Sequence, residues 1–129
     1  MNKKLKAIWL KNLRSGKFKQ GNGYLKQQRE DKEIKYCCLG VLCTTLVRNG
    51  TIKRPRQQTE YDSNGTICAW SFDDSESELS CRLLAETGIP GSAQDMLIKL
   101  NDGRKDDDTG AIIKRKTFKQ IAAWIENNL

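Results

Sequence analysis

The sequence has 129 residues, of which 30% are charged and 37% are hydrophobic, and it contains no histidine. A chain of this length fits a single domain over residues 1–129 and can bury a core without disulfides or a metal. The lack of histidine excludes Ser-His-Asp and Cys-His catalysis and removes the commonest metal ligand. Because the sequence also has no Walker A, dinucleotide-binding GxGxxG or HExxH motif, we expect neither an enzyme nor a cofactor.

Charge is distributed unevenly along the chain. Residues 1–66 carry a net charge of +10 and residues 67–129 one of −3, which together give the total of +7. A basic N-terminal half favours anionic partners such as phosphates, nucleotides, nucleic acid or an acidic protein face. No apolar stretch approaches the ~20 residues that span a bilayer, so no membrane segment is predicted.

The first predicted element is an amphipathic helix over about residues 3–15. Leu5, Ile8, Trp9 and Leu13 recur at the spacing of one helical face, and Gly16 follows as a helix stop. The next residues, 17–23, form a loop that is rich in glycine and cations.

A β-hairpin and a second helix are predicted next. The strands of the hairpin cover residues 24–30 and 33–38, with Asp31-Lys32 as the turn between them. Leu39, Leu42 and Leu46 then recur at helical spacing before Gly50. This helix is the most apolar segment of the chain, so we expect it to pack on the hairpin and to be mostly buried.

The remaining chain predicts a loop, one strand and three helices. Residues 51–65 read as a loop with at most a short strand, and residues 66–72 have strand composition. Helices are predicted over residues 79–87, 92–100 and 117–129, the last with a capping box. The fold class is therefore α+β, with about five helices packed on a small antiparallel sheet.

The five cysteines stand at positions 37, 38, 43, 68 and 81. Their odd number and the lack of an export signal indicate free thiols in a reducing compartment, several of them in the core. The alternative is a zinc site in which Cys37, Cys38 and Cys43 are completed by Cys68 or Cys81. Structural zinc sites usually need two closely spaced pairs, and the second pair is missing, so no metal is predicted.

The loop over residues 17–24 has the composition of an anion-binding segment. Gly21 and Gly23 allow the backbone to approach a ligand closely, the neighbouring cations attract phosphate, and Phe18 and Tyr24 can stack on a ring. The alternative is a solvated connection whose glycines serve only turn geometry. A second basic cluster, at residues 114–116, is a candidate contact for a nucleic-acid backbone.

Four motifs together resemble a known family. They are LRSGKFKQGxGYL at residues 13–25, YCCLGVLC at 36–43, LND at 100–102 and TFxxIAxWIExNL at 117–129. In this order they resemble a widespread family of small bacteriophage proteins. The chain departs from that pattern at Thr44, where we expect an acidic residue, and a site that used this acid would be missing here.

The resemblance implies an accessory protein in the host bacterial cytoplasm. Many small phage proteins counter host immunity by sequestering nucleotide-type signals, such as cyclic oligonucleotides or ADP-ribose derivatives. With the glycine loop, this predicts an anti-defence protein that binds a phosphorylated signal without turnover. Two alternatives stay open, a protein–protein inhibitor of a host defence enzyme and a nucleic-acid-binding accessory factor. A homo-oligomer with a shared site is also compatible with the sequence.

The predicted binding residues supply cations for phosphate, aromatic rings for stacking, and amide, backbone or carboxylate groups for hydrogen bonds. They are Trp9, Arg14, Lys17, Lys19, Gln20, Gly21, Gly23, Tyr24, Trp70, Asn101 and Asp102.

Overall fold

The computed structural model describes residues 1–30 and 32–129, and these residues form five helices and four strands. In chain order the elements are α1 (Lys3–Arg14), β1 (Lys26–Gln28), β2 (Lys35–Tyr36), α2 (Cys38–Arg48), β3 (Arg56–Asp62), β4 (Gly65–Ser71), α3 (Cys81–Thr87), α4 (Gly91–Asp102) and α5 (Phe118–Asn128). The predicted α+β class is confirmed. None of the described helices is long and apolar enough to cross a membrane.

The strands form one antiparallel sheet in the order β2-β1-β4-β3. Gln20 extends its β2 side by a parallel bridge to Tyr36. The predicted hairpin is present as β1 and β2, although its strands are shorter than predicted. Asp31, part of the predicted turn, lies outside the described residues.

Strand β3 corrects the prediction of a loop over residues 51–65. Seven residues, Arg56–Asp62, pair along their full length with β4, which matches the predicted strand over 66–72. Most side chains of β3 are solvent-exposed, so the strand lacks the apolar alternation by which a half-buried strand is recognised. Its pairing with β4, rather than its own composition, makes it a strand.

The centre of the helical layer is α2. Eight of its residues are buried, and it contacts both α1 and α4, while α5 packs against α1 and α4. At Gly40 the helix touches the backbone of the loop before β1, because a Cβ atom there would lie 1.7 Å from the carbonyl oxygen of Leu25. Only glycine permits this approach, which fixes α2 against the sheet.

Most predicted helix ends agree with the structure. Gly88 ends α3 and Gly103 ends α4, both with positive φ. Thr117 and Gln120 form the predicted capping box at the start of α5. The predicted start of α4 at residue 92 is shifted, because the helix begins at Gly91 behind Pro90, with no side-chain cap.

Candidate functional site

A buried asparagine at the end of α4 holds the glycine loop in place. Asn101 is fully buried. Its Oδ1 accepts hydrogen bonds from the backbone N–H of Cys38 at 3.1 Å and from Nε2 of Gln20 at 3.2 Å. Its Nδ2 donates to the carbonyl of Gly21 at 2.8 Å and to Oδ1 of Asp102 at 2.9 Å. These contacts use the full hydrogen-bonding capacity of an amide, so Asn101 ties three segments together.

Asp102 fixes the second half of the same loop. Its Oδ1 accepts the backbone N–H of Gly23 at 3.3 Å, and its Oδ2 is 3.1 Å from a guanidinium nitrogen of Arg104. Gly23 has φ near 82°, a conformation that favours glycine. The carboxylate is thus already engaged by a backbone donor and a cation within the protein.

The loop lies directly against the hairpin. The backbone N–H of Gly21 donates to the carbonyl of Tyr36 at 2.8 Å, and the N–H of Tyr36 donates to the carbonyl of Lys19 at 2.8 Å. A Cβ atom at Gly21 would lie 2.7 Å from Cβ of Lys35 and 2.9 Å from Nε2 of Gln27. Gly21 is therefore required by close packing, which places the loop beside the polar side chains of β1 and β2.

Between the loop and the hairpin lies a cleft of about 240 Å³, which we name the loop cleft. Among the described residues, its lining consists of four cations, one carboxylate, four amides and one glycine. They are Arg29, Lys32, Lys35 and Arg115, then Glu33, then Gln20, Asn22, Gln27 and Asn64, then Gly21. The lining therefore carries a net positive charge, which favours an anion.

The acidic groups at the edge of the loop cleft are already paired. Arg29 forms two hydrogen bonds with the carboxylate of Asp62, one of them 3.1 Å long. These bonds lower the pKa of Asp62 and raise the pKa of Arg29. Glu33 lies 3.5 Å from Nζ of Lys19. Within the described part of the chain, no carboxylate forms an ion pair with Lys32, Lys35 or Arg115.

Several predicted binding residues lie elsewhere. Trp9 is fully buried, and its indole N–H donates to the carbonyl of Cys38 at 2.9 Å, so its ring belongs to the core. Arg14 pairs with Glu126 of α5 at 2.7 Å. Lys17 is exposed on the loop, outside the residues that line the loop cleft. These three positions therefore do not converge with Gln20 and Gly21.

The predicted aromatic residues do not line the loop cleft either. Trp70 lies on the sheet face where Nζ of Lys26 is 4.6 Å from its ring centroid and 5.7 Å from that of Tyr36. Phe18 packs edge-on against Tyr36, with ring centroids 5.1 Å apart. Burial lowers the pKa of Lys26 and raises the pKa of Tyr24, which is half-buried near Asp62. These rings contact protein groups instead of framing the cleft.

Most lining residues of the loop cleft were not among the binding residues predicted from the sequence. Only Gln20 and Gly21 were predicted binding residues, whereas Arg29 and Lys35 belong to the hairpin, and Asn64 and Arg115 come from distant segments. One signal was present in the sequence: Gln27 and Arg29 are two residues apart, so they share one face of a strand. Arg115 belongs to the basic cluster at residues 114–116, which the sequence indicates as a candidate nucleic-acid contact, but its place in the loop cleft depends on tertiary packing.

The cysteines act as separate buried or surface thiols. Cys37, Cys38 and Cys43 are buried, Cys68 is half-buried and Cys81 is exposed, and all five are free. Burial raises the pKa of the Cys37 thiol to about 12. Its sulfur accepts the backbone N–H of Gly40 at 3.4 Å and so caps α2. Among the described residues, no group of three or more side chains is arranged to hold a metal ion.

Comparison with known proteins places the chain in a family without assigning an activity. No curated protein and no solved structure matches it. One family model matches all of residues 1–129, and its description is a domain of unknown function. The chain therefore belongs to the DUF8296 family.

Proposed function

We propose that the chain binds a phosphorylated, nucleotide-type small molecule in the loop cleft and sequesters it without turnover. The observation that carries this proposal is the convergence of four cations and four amides on one cleft beside an ordered glycine loop. Cations bind phosphate oxygens, and amides can hydrogen-bond to sugar hydroxyls and base edges. Gln20 and Gln27 already donate to groups of the protein, so the exposed side chains of Asn22 and Asn64 are the main amides for such contacts among the described residues. The positive charge of residues 1–66 supports the same ligand class.

The loop cleft is a better anion site than the larger depressions on the surface. Two of these, of about 650 and 680 Å³, lie beside residues 71–78. The first is lined by Asp74, Glu76 and Glu78 with a single arginine. The second has two carboxylates, Asp73 and Asp74, and Asp73 forms an ion pair with Arg82. Its other cations are Lys53, Arg54 and Arg56. Three carboxylates disfavour a phosphate in the first depression, and four cations with two carboxylates give the second a net charge of +2. The described lining of the loop cleft has four cations and one carboxylate, Glu33, which pairs with Lys19, so its net charge of +3 is the more favourable for an anion.

The volume of the loop cleft limits what can enter it. Pockets for whole drug-sized ligands usually have at least about 300 Å³, and the loop cleft has about 240 Å³. We therefore propose that it holds one phosphate with one sugar or base, while the rest of the ligand lies over the exposed loop. Because no aromatic ring lines the cleft in the described residues, the base would be recognised by amides rather than by stacking.

Sequestration without turnover follows from the chemistry of the lining. Hydrolysis of a phosphate ester needs a nucleophile with a base, or a metal. The lining offers cations, amides and the paired Glu33. The motif resemblance to small phage proteins supports the further proposal that the ligand is an immune signal and that its capture acts against host defence.

Calorimetric titration with ADP-ribose and with a cyclic dinucleotide tests the proposal. We expect saturable binding of at least one of them, weakened about tenfold by Lys35→Gln or Arg115→Gln, since a charge-assisted hydrogen bond contributes ~1.5–3 kcal/mol. Lys114→Gln is the matched control, because it removes the same charge beside Arg115 but outside the lining. The bound molecule, released by denaturation, should keep its original mass.

Two results would contradict the proposal. Absence of heat with both ligand classes at about millimolar concentration would exclude a nucleotide site of useful affinity. If Lys114→Gln and Arg115→Gln weaken ligand binding equally, the ligand is attracted by the general positive charge and is not bound in the loop cleft. Binding of single-stranded nucleic acid with a steep salt dependence would instead support the alternative of a nucleic-acid-binding factor.

A further inference from the structure

Strand β3 forms an open edge of the sheet. It is the last strand in the order β2-β1-β4-β3, and no described residue pairs with its outer side. Its side chains are mostly exposed, including Tyr61, which is 80% exposed. An edge strand of seven residues without an internal proline is able to pair with another strand.

The register of the β3–β4 hairpin determines which backbone groups of β3 point outward. Asp62 lies opposite Gly65 across a two-residue turn, and such a closing pair exchanges both backbone hydrogen bonds. Because inward and outward groups alternate, the N–H and C=O groups of Gln57, Thr59 and Tyr61 point away from β4. These three residues thus offer donors and acceptors to a further strand.

The sequence of β3 is complementary to itself in the antiparallel direction. When Thr59 faces Thr59 of a second copy, Arg56 faces Asp62, and Gln57 faces Tyr61. Opposite charges at directly facing positions stabilise a strand pair, and like charges destabilise it. In the same register the outward residues of one copy face those of the other, so each copy can donate three backbone N–H groups.

Other registers are less favourable. If the two-fold axis passes through Glu60 or Tyr61, Glu60 faces a carboxylate of the second copy. If it passes through Gln57, Pro55 becomes part of the paired strand, where it cannot donate a hydrogen bond. Centring the pair on Gln58 keeps opposite charges together but pairs only five residues. The register centred on Thr59 is the one that combines full overlap with opposite charges.

We propose that β3 pairs with β3 of a second copy of this chain about a two-fold axis at Thr59. The two sheets then form one continuous sheet of eight strands, and the interface is isologous. Asp62 also binds Arg29, which lines the loop cleft. The pairing therefore places Arg56 of the second copy beside the edge of that cleft. This inference concerns assembly and stands whether or not the cleft binds a nucleotide.

Sedimentation of the ligand-free chain tests the proposal over a range of concentrations, from about 10 µM to about 1 mM, because an interface of this small size is weak. We expect a dimer at the upper end. Thr59→Pro should be monomeric at every concentration, because it removes an outward N–H to which no strand of the described residues is paired. At low concentration, where the wild type is also monomeric, the thermal midpoint of Thr59→Pro should equal that of the wild type, which shows that the protomer is intact.

A charge variant provides an independent test that does not depend on tolerance of proline. Arg56→Glu places a carboxylate opposite Asp62 and should weaken the dimer at least tenfold, whereas Arg54→Glu, just outside the strand, should not. A wild-type chain that stays monomeric at about 1 mM would overturn the proposal. A dimer that survives both Thr59→Pro and Arg56→Glu would also overturn it, since its interface would then lie elsewhere.

Discussion

The buried amide of Asn101 should contribute a large share of the stability of the fold. In Asn101→Ala, the backbone N–H of Cys38 and the carbonyl of Gly21 lose their hydrogen-bond partner, while Gln20 keeps a bond to the carbonyl of Lys116 at 2.8 Å. Two buried groups left unpaired cost ~1–3 kcal/mol each, so we expect a loss of about 4 kcal/mol. This corresponds to about a thousandfold decrease in the folding equilibrium constant.

Urea unfolding, followed by tryptophan fluorescence, measures this loss by linear extrapolation. Asn127→Ala is the matched control, because Asn127 is an exposed asparagine near the end of α5. We expect the control to change the free energy of unfolding by at most about 0.5 kcal/mol. A loss below about 1 kcal/mol for Asn101→Ala would refute the reasoning, because it would mean that water can replace the amide without cost.

The variant Asn101→Asp separates hydrogen bonding from packing, because the side chain keeps its size. The new carboxyl would be buried beside Asp102 and the carbonyl of Gly21, so its folded-state pKa should be raised above the unfolded value of about 3.9. A raised folded-state pKa means that the protonated form stabilises the fold. The free energy of unfolding of Asn101→Asp should therefore be closest to that of the wild type below about pH 4, and the difference should increase as the pH rises.

Three further predictions follow from other contacts. Gly40→Ala should cost more than about 3 kcal/mol and lower the thermal midpoint strongly, because its Cβ would collide with the Leu25 carbonyl oxygen. Gly91→Ala is the control and should not, because beyond the neighbouring residues and the backbone of its own helix nothing lies within 4 Å of the added Cβ. In Asp62→Asn the free energy of unfolding should fall less than in the wild type as the pH is lowered from about 7 to about 2, which urea midpoints over this range measure. The reason is that Arg29 lowers the pKa of Asp62, so the stabilisation is present above its ordinary pKa and is lost as the pH falls through the lowered one. A disulfide reagent near pH 8 should modify Cys81 quickly and Cys68 more slowly, while the three buried thiols react only after unfolding; early reaction of Cys43 would contradict the burial argument.

The helices were predictable because their signals are local. Apolar residues at helical spacing predicted α1, although of its predicted face only Trp9 and Leu13 are buried, while Leu5 is half-buried and Ile8 is exposed. The glycines at positions 16, 50 and 88 have the positive φ that a helix stop requires. The capping box of α5 was also predictable from its spacing. Strand β3 was not, since its exposed side chains carry no apolar pattern, and only pairing with β4 defines it.

The loop cleft was predictable only in part, for a related reason. The glycine loop was recognised by its composition, and Gln20 and Gly21 do line the cleft. Arg115 lies 95 residues from Gln20 along the chain, yet its guanidinium group approaches the carbonyl of Gln20. No local pattern reports such a contact. Asn101 was predicted to bind the ligand, but its side chain holds the loop. Sequence alone could not distinguish these two roles.

The hydrogen bonds that hold the glycine loop also affect how fast a ligand could bind. The loop is already ordered by Asn101, Asp102 and the backbone of Tyr36 before any ligand arrives. A preorganised site avoids much of the entropic cost of ordering a loop during association. Association should then approach rigid-body docking, with a rate constant that is set by diffusion and by long-range attraction and that therefore falls as ionic strength rises. A protein that must capture a signal before its receptor does would benefit from this kinetic property.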